Sequence, residues 1–205
     1  MDARARMVAD QIRGRGVRDP RVLRAIERVP RDVFLPEAQR AEAYEDRPVP
    51  IGFGQTISQP YIVAYMTEAL KVEPSHRVLE IGTGCGYQTA VLAELAAEVY
   101  SIERIGVLAE RARRTLDGLG YANVHVRAGD GHAGWPDEAP FDRILAPAAP
   151  PSVAPALIEQ LADGGILVIP VGVDDQELRV LQKQGGRVEL LSTLPVRFVP
   201  MIRGT

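Results

Sequence analysis

The sequence predicts an α/β fold: a doubly wound, mostly parallel sheet with extra N-terminal helices and a C-terminal antiparallel hairpin. From residue 77 onward, short apolar runs alternate with helical patterns, which is typical of parallel strands joined by helices. The part before residue 71 is patterned as helices, and two alternating runs flank Gly185-Gly186 near the end of the chain. Together these three observations predict a Rossmann-like architecture.

Length and composition favour one domain over residues 1–205. The chain has 205 residues, of which 46% are hydrophobic, so it can bury a sizeable core. We expect N-terminal helices over 1–70, a ligand-binding core over 71–173, and edge strands over 174–205. The formal net charge is -3, which does not favour nucleic acid as a partner.

Cysteine usage and hydropathy indicate a reducing, non-membrane setting. One cysteine cannot form an internal disulfide, so we expect a cytoplasmic protein. The N-terminus is charged from Asp2 and resembles no signal peptide, and no run is apolar and long enough to span a bilayer. The three histidines and the cysteine lack metal-ligand spacing, so no metal is expected.

The N-terminal part predicts three helices. The first runs from Met1 to about Arg15 and is broken by glycine, and the second begins at Asp19-Pro20, which has the pattern of an N-cap followed by proline. Residues 43–59 are rich in proline and glycine and are predicted to be irregular. The third helix follows at 61–70.

The remaining elements alternate in order along the chain. Strands are predicted at 77–82, 98–103, 123–130, 141–147 and 166–172. Helices are predicted between them at 86–96, 106–120 and 152–165. A hairpin is predicted over 177–194, and 196–200 is either a last strand or an edge that lines the substrate site.

The loop after the first strand is the first candidate for a ligand site, because open parallel sheets bind ligands at the carboxyl ends of their strands. It contains Gly82, Thr83, Gly84, Cys85 and Gly86. Glycine lets the backbone approach a ligand closely. The spacing is G-x-G-x-G, whereas the dinucleotide fingerprint is G-x-G-x-x-G. Cys85 is interpreted as a small residue that fills the loop.

Glu80 argues against a pyrophosphate ligand. It lies two residues before Gly82, and two like charges 4 Å apart repel by about 4 kcal/mol at an effective dielectric of 20. The same carboxylate suits a ligand that carries an ammonium and a sulfonium group. S-adenosylmethionine has both and has no phosphate, so Glu80 is predicted to face it.

Two further acids follow the next two strands. Glu103 can accept hydrogen bonds from both ribose hydroxyls, and Asp130, followed by Gly131, can accept one from the adenine amino group. Three acids at neighbouring strand ends would border one extended nucleoside. Two alternatives remain. Glu80 opposes an NAD-dependent oxidoreductase, and the shortage of aromatic residues opposes an RNA-binding module.

Several motifs resemble one enzyme family. "VLEIGTGCGYQTAVLAEL", "SIER", "GDG" and "LADGGILVIPVG" look like those of class I S-adenosylmethionine-dependent methyltransferases. "GQTISQPYIVAYMTE" and "VRFVPM" resemble protein-L-isoaspartate O-methyltransferases more narrowly. The resemblance implies methylation of the free carboxylate of L-isoaspartyl residues in damaged proteins and peptides. We expect a monomer, and the acidic net charge leads us to expect no nucleic-acid partner.

The resemblance gives roles to the stretch before the third helix. Thr56, Ile57 and Gln59 would lie over the cofactor, and Ser58 aligns with the family's catalytic serine. Ser58, Gln59 and Val199 would contact the substrate. A carboxylic acid is already ionised at neutral pH, so neutral donors need only align it and remove its water. Ser58 also fits a helix N-cap, a role compatible with catalysis.

Two points remain open at the sequence level. Pro147 stands where the family usually has threonine, so the substrate pocket could differ here. A related enzyme could also methylate a normal Asp in one dedicated peptide, although the chain carries no obvious extra recognition segment.

Overall fold

Seven strands form the main sheet of the computed structural model, which describes residues 2–202. In chain order the strands are β1 Val49–Gly52, β2 Gln55–Ile57, β3 Arg77–Ile81, β4 Glu98–Glu103, β5 Val124–Ala128, β6 Phe141–Leu145, β7 Leu161–Val171, β8 Gln176–Gln184 and β9 Arg187–Val196. The strand order is β5-β4-β3-β6-β7-β8-β9, and β1 and β2 pair separately. Strands β3 to β7 are parallel, whereas β8 and β9 are antiparallel.

Six α-helices accompany these strands in the described residues. They are α1 Ala3–Arg6, α2 Pro20–Arg28, α3 Pro60–Leu70, α4 Tyr87–Ala93, α5 Gly106–Gly118 and α6 Pro155–Gln160. A π-helical stretch and a short 3-10 turn continue α1, and Gly16 ends this unit with a left-handed φ of 103°. The predicted N-cap is confirmed, since Asp19 accepts a hydrogen bond from the Arg21 amide. Met1, where the first helix is predicted to start, lies outside the described residues.

The site-forming feature of the sheet is the reversal of strand order between the paired strands β3 and β6. The chain leaves β3 for β4 and β5 on one side and then returns to β6 on the other side of β3. Helices at such a reversal leave the sheet in opposite directions, which opens a crevice at the carboxyl ends of the two strands. The predicted mostly parallel, doubly wound sheet is confirmed.

Alternating side chains on the strands build two apolar layers. Leu79 and Ile81 pack with Leu157 of α6 on one face. Val78 packs on the other face with Met66 of α3 and Leu92 of α4. A third cluster joins the N-terminal helices to α4 and α5, so residues before 60 lie against the core that carries the glycine loop.

Three predicted elements differ from the structure. Residues 43–59 include the hairpin β1–β2, because Gly52 and Gly54 take left-handed φ angles at its turn. The helix predicted over 152–165 ends at Gln160, and β7 begins at once. The pairing of β7 with β6 is irregular there: Phe141 pairs with Leu161, but Arg143 pairs with Ile166. Gly164 lies in the unpaired stretch between these two pairs.

The third difference is the tail at 196–200. It is not a strand beyond Val196, and only an isolated bridge joins Pro200 to Ala149. The predicted hairpin at 177–194 is confirmed, with Gly185 and Gly186 both left-handed at its turn. Across residues 2–202, every helix is too short or too polar to cross a membrane.

Candidate functional site

The glycine loop joins β3 to α4 through three left-handed glycines. Their φ angles are 106° at Gly82, 56° at Gly84 and 93° at Gly86. The Gly82 amide donates to the carbonyl of Ile102 at 2.8 Å, and the Gly86 amide donates to that of Thr83 at 2.8 Å. At Gly86 a Cβ would also lie 3.2 Å from Leu116 of α5. The sequence therefore folds this loop tightly over the end of β4.

Two adjoining cavities lie against this loop, and together we call them the strand-end groove. They hold about 510 and 520 Å³ of space that is partly open to solvent. Both are lined by Gln55, Gly82, Glu103 and Ala148. The first is also bordered by Ile102, Arg104, Gly131 and Ile202, and the second by Thr56, Ile57, Ser58, Thr83, Gly84, Cys85 and Gln88.

Glu103 borders both halves of the strand-end groove. Only 6% of its surface is exposed. One carboxylate oxygen accepts from the Gly84 amide at 2.8 Å, and the other accepts from the Ile105 amide at 2.9 Å. Each oxygen keeps a second lone pair, so Glu103 fixes the loop and can still receive ligand hydroxyls.

Glu80 is placed differently from the sequence prediction that it faces the ligand. It is fully buried and lines neither half of the groove. One oxygen accepts from Ser101 at 2.6 Å and from the Thr89 hydroxyl. Burial raises the pKa of Glu80 to about 8, and the neighbouring Glu103 charge adds to this. Glu80 thus supports the loop from below, largely protonated at neutral pH.

Asp130 is also absent from the groove lining, in contrast to the predicted adenine contact. Its Oδ1 accepts from the His132 amide at 2.9 Å and lies 3.1 Å from His132 Nδ1, so it caps a short 3-10 turn. Gly131 does line the groove, as predicted. A Cβ at Gly131 would lie 2.3 Å from Ile81 Cγ2, so only glycine fits between the turn and β3.

A third cavity, which we call the side cleft, opens next to the groove and holds about 1210 Å³. Its lining comprises Pro48, Thr56, Ser58, Gln59, Ile62, Pro147, Pro195, Val196, Arg197, Phe198 and Val199. Four of these also line the groove: Thr56, Ser58, Pro147 and Val199. Groove and cleft therefore meet at these four residues. Gln59, which we expected to contact both cofactor and substrate, borders only the cleft among the three cavities.

Arg31 holds the Ser58 segment in place and was missed by the sequence reasoning. Its side chain is fully buried; Nε donates to the Ala43 carbonyl and Nη2 to the Ser58 carbonyl, both at 2.7 Å. Its guanidinium also lies 4.8 Å from the Tyr87 ring centre. Burial lowers the pKa of Arg31. A lone arginine between Pro30 and Asp32 carries no periodic signal that could have revealed this role.

The structure separates two readings of Ser58. The N-cap of α3 is Gln59, and no side chain caps that helix. The N-cap alternative for Ser58 is therefore wrong. Its half-buried side chain lies instead where the groove and the cleft meet.

The tail is tied to the body of the molecule at Val199. The Val199 carbonyl accepts from the Ala149 amide at 2.9 Å, so it is not free to pair with a peptide. Gln176 binds both backbone groups of Phe198, at 2.6 and 3.2 Å. Val199 nevertheless lines both groove and cleft. The substrate contact that the resemblance implies for Val199 stays a prediction, and this lining position is compatible with it.

Cys85 has the properties of a loop-filling residue. It is buried, and burial raises the pKa of its thiol, so the reactive thiolate is disfavoured. Groove residues that the sequence reasoning did not single out include Gln55, Tyr87, Gln88 and Ala148. Gln55 stands directly before the "TISQ" segment, so its position was the available signal.

The comparisons with known proteins agree with this geometry. The family model described as protein-L-isoaspartate(D-aspartate) O-methyltransferase matches residues 3–205. A protein-L-isoaspartate O-methyltransferase of Synechococcus sp. (strain JA-2-3B'a(2-13)) is 55% identical over 207 aligned positions, which cover 97% of this chain and 85% of that protein.

Two solved structures share the fold. A protein-L-isoaspartate O-methyltransferase superposes with a TM-score of 0.88 at 28% identity, covering 96% of this chain and 65% of that one. A Plasmodium falciparum structure assigned to the same activity, in complex with S-adenosyl-L-homocysteine, gives a TM-score of 0.85 at 24% identity over 100% of both chains. With the family model spanning nearly the whole sequence, the chain belongs to the protein-L-isoaspartate(D-aspartate) O-methyltransferase family.

Proposed function

We propose that the protein transfers the methyl group of S-adenosylmethionine to the free carboxylate of L-isoaspartyl residues in damaged proteins and peptides. The observation that carries this proposal is the junction of groove and cleft at Thr56, Ser58, Pro147 and Val199. A cofactor in the groove and a peptide in the cleft would meet there. Family membership supplies the substrate class.

The groove residues fit the cofactor. Left-handed glycines leave room beside the loop, and Glu103 offers free lone pairs to hydroxyl groups. When bound, S-adenosylmethionine supplies an electrophilic methyl group on a sulfonium. Cys85, Gly84 and Ile57 line the half of the groove that meets the cleft and would hold the cofactor there, and Gln55 lines both halves.

Neutral donors suit the reacting carboxylate. An isoaspartyl carboxyl has an ordinary pKa near 4, so it needs no general base at neutral pH. Ser58 and Thr56 can donate hydrogen bonds that align an oxygen without neutralising its charge, as a close cation would. Arg31 keeps its charge away from that oxygen, because it binds Ser58 from the buried side through the backbone carbonyl.

A paired-peptide assay tests the function. One peptide carries L-isoaspartate and its twin carries aspartate at the same position, and methyl incorporation from labelled S-adenosylmethionine is counted. We expect methylation of the isoaspartyl peptide alone. Preference for the aspartyl twin would favour an enzyme dedicated to a normal Asp, and methylation of neither peptide would refute the proposal.

We also propose that the protein is a monomeric cytoplasmic enzyme made as one domain over 1–205. The single cysteine is buried and unpaired, which suits a reducing compartment. All three predicted segments contribute to the side cleft, through Ser58, Pro147 and Val199, so they are expected to act as one unit. Light scattering gives the mass in solution, and cell fractionation gives the compartment.

A further inference from the structure

Among the residues that the structure describes, the lining of the side cleft carries one charged side chain, that of Arg197. The other lining residues are apolar or are neutral polar residues such as Thr56, Ser58 and Gln59. A guanidinium remains protonated across the whole physiological pH range. The cleft wall therefore presents a permanent positive charge to whatever enters it.

This charge is uncompensated within the described part of the chain. Arg197 is exposed, and no hydrogen bond or ion pair of its side chain occurs among residues 2–202. Arg179 on the adjoining strand, by contrast, lies 3.4 Å from Glu177. Asp46 binds Gln59 of the cleft lining, but it is already paired with Arg15 at 3.1 Å.

The backbone around Arg197 is fixed rather than loose. Val196 pairs with Gln176 in the sheet, and the Gln176 side chain binds both backbone groups of Phe198. The residue between them is held at the cleft wall from both sides. Because the backbone is fixed at the cleft wall, the guanidinium stays within one side-chain length of that wall and can discriminate between charged side chains of a bound peptide.

Arg197 is also separated from the reaction centre. It lines the cleft but neither half of the strand-end groove, whereas Ser58 lines both cleft and groove. Its charge is therefore expected to act more on side chains that flank the isoaspartate in the cleft than on the carboxylate at the junction with the groove. An effect on substrate binding, seen in KM, is expected to exceed any effect on kcat.

We propose that Arg197 makes the enzyme select isoaspartyl sites flanked by an acidic side chain. This inference rests on the proposed function and deepens it. The preferred substrate class is an accessible peptide with Asp or Glu near the isoaspartate, and a basic residue at the same place is disfavoured.

The test uses isoaspartyl peptides that differ at one position, with Glu, Gln or Lys placed either two residues before or two residues after the isoaspartate. We expect kcat/KM for the Glu peptide to exceed that for the Lys peptide by about two- to fivefold at one of the two positions. High salt weakens the preference, because exposed charges are screened.

Three variants assign the preference to a residue. Arg197→Gln is expected to abolish the preference for the Glu peptide over the Lys peptide. Arg197→Glu is expected to reverse that preference, and both effects arise mainly in KM. Arg187→Gln, an exposed change on β9 outside the cleft lining with the same effect on net charge, leaves it intact. A wild-type enzyme without preference at either position, or an Arg197→Gln enzyme that keeps it, overturns the inference. If the isoaspartyl peptide with Gln is not methylated at all, the proposed function falls and this inference with it.

Discussion

Ser58 presents a small neutral hydroxyl where the strand-end groove meets the side cleft. Replacing it with alanine removes a donor that aligns the reacting oxygen but leaves the groove walls in place. We expect Ser58→Ala to lower kcat by about 10- to 100-fold, the range associated with misaligned reactants. Affinity for S-adenosylhomocysteine, measured by calorimetry, is expected to change by less than about twofold.

Ser192→Ala is the matched control for Ser58→Ala. Ser192 is exposed on β9 and lines none of the three cavities, so this variant keeps wild-type kinetics. A Ser58→Ala enzyme with unchanged kcat would remove Ser58 from the reaction.

Glu80 makes the stability of the protein depend on pH. Its pKa rises from an ordinary 4.5 to about 8 because of burial, so between these values the folded chain binds a proton that the unfolded chain has released. Stability therefore falls as pH rises through that window and is unaffected by this group below it. In Glu80→Gln, which mimics the protonated acid, the fall is smaller.

Calorimetric melting at a series of pH values checks the Glu80 prediction. The difference in Tm between Glu80→Gln and wild type is expected to grow in favour of the variant from about pH 4.5 to about pH 8 and then level off. Glu189→Gln, an exposed change on β9, serves as control. A difference in Tm between Glu80→Gln and wild type that is the same at all pH values would contradict the buried, protonated state of Glu80.

Strand alternation explains why Glu80 was misplaced by the sequence reasoning. Leu79 and Ile81 face the layer of α6, so Glu80 must share the opposite face with Val78, beneath α4. A glutamate just before the loop predicts a carboxylate close to the ligand. The face of the sheet on which that carboxylate lies follows instead from its alternation with Leu79 and Ile81 along β3. Glu103 is the last residue of β4, where the same sheet edge opens into the groove.

Arg31 couples the N-terminal elements to the segment that carries Ser58. Its two hydrogen bonds reach the Ala43 and Ser58 carbonyls in different directions, and a lysine ammonium cannot reproduce both. We expect Arg31→Lys to lower the free energy of unfolding by about 2–3 kcal/mol, as for the loss of a buried charged hydrogen bond. Urea unfolding measures this change.

Kinetics distinguish a local role for Arg31 from a purely structural one. Under conditions where the Arg31→Lys enzyme is still folded, its kcat is expected to fall while affinity for S-adenosylhomocysteine is retained. Arg24→Lys, an exposed change on α2, leaves both stability and kcat unaltered. An Arg31→Lys enzyme with wild-type stability would show that the two carbonyl contacts contribute little.

Elements with a clear hydrophobic pattern were predicted from sequence, whereas the small hairpin β1–β2 was not. The helix α5 and the hairpin β8–β9 follow from hydrophobic period and turn glycines. The hairpin β1–β2 has strands of only four and three residues and pairs only with itself. Its buried residues Val49, Ile51 and Ile57 pack on the N-terminal cluster, so tertiary contacts decide its conformation.

At the scale of the whole molecule, the groove was predictable and the cleft was not. The groove follows from one loop and one topological rule, since Gly82 directly follows β3 and Glu103 ends the neighbouring strand β4. The cleft combines residues 48–62, Pro147 and residues 195–199, which only the folded chain brings together. No spacing in the sequence encodes that meeting, so resemblance alone placed Ser58 and Val199 there.

Ligand-induced stabilisation tests the groove as a property of the whole fold. A ligand that binds only the folded state at 100 times its Kd adds about 2.7 kcal/mol of stability. For a chain of this size we expect S-adenosylhomocysteine at that concentration to raise Tm by about 5–10 °C in a thermal melt. NAD at the same concentration is expected to leave Tm unchanged, because the G-x-G-x-G spacing of the loop differs from the G-x-G-x-x-G dinucleotide fingerprint.

A matched pair of variants on β4 links this thermal shift to the groove. Glu103→Gln removes the charge that borders both halves of the groove, so the S-adenosylhomocysteine shift becomes smaller. Glu98→Gln, at the other end of the same strand and outside the groove lining, keeps the full shift. Both changes are similar in size and equal in charge, and the Tm of each variant without ligand shows how far the loss of the Gly84 and Ile105 contacts alone contributes. Equal shifts in the two variants would place the ligand elsewhere than beside Glu103, and a shift with NAD would contradict the expected preference for a ligand without phosphate.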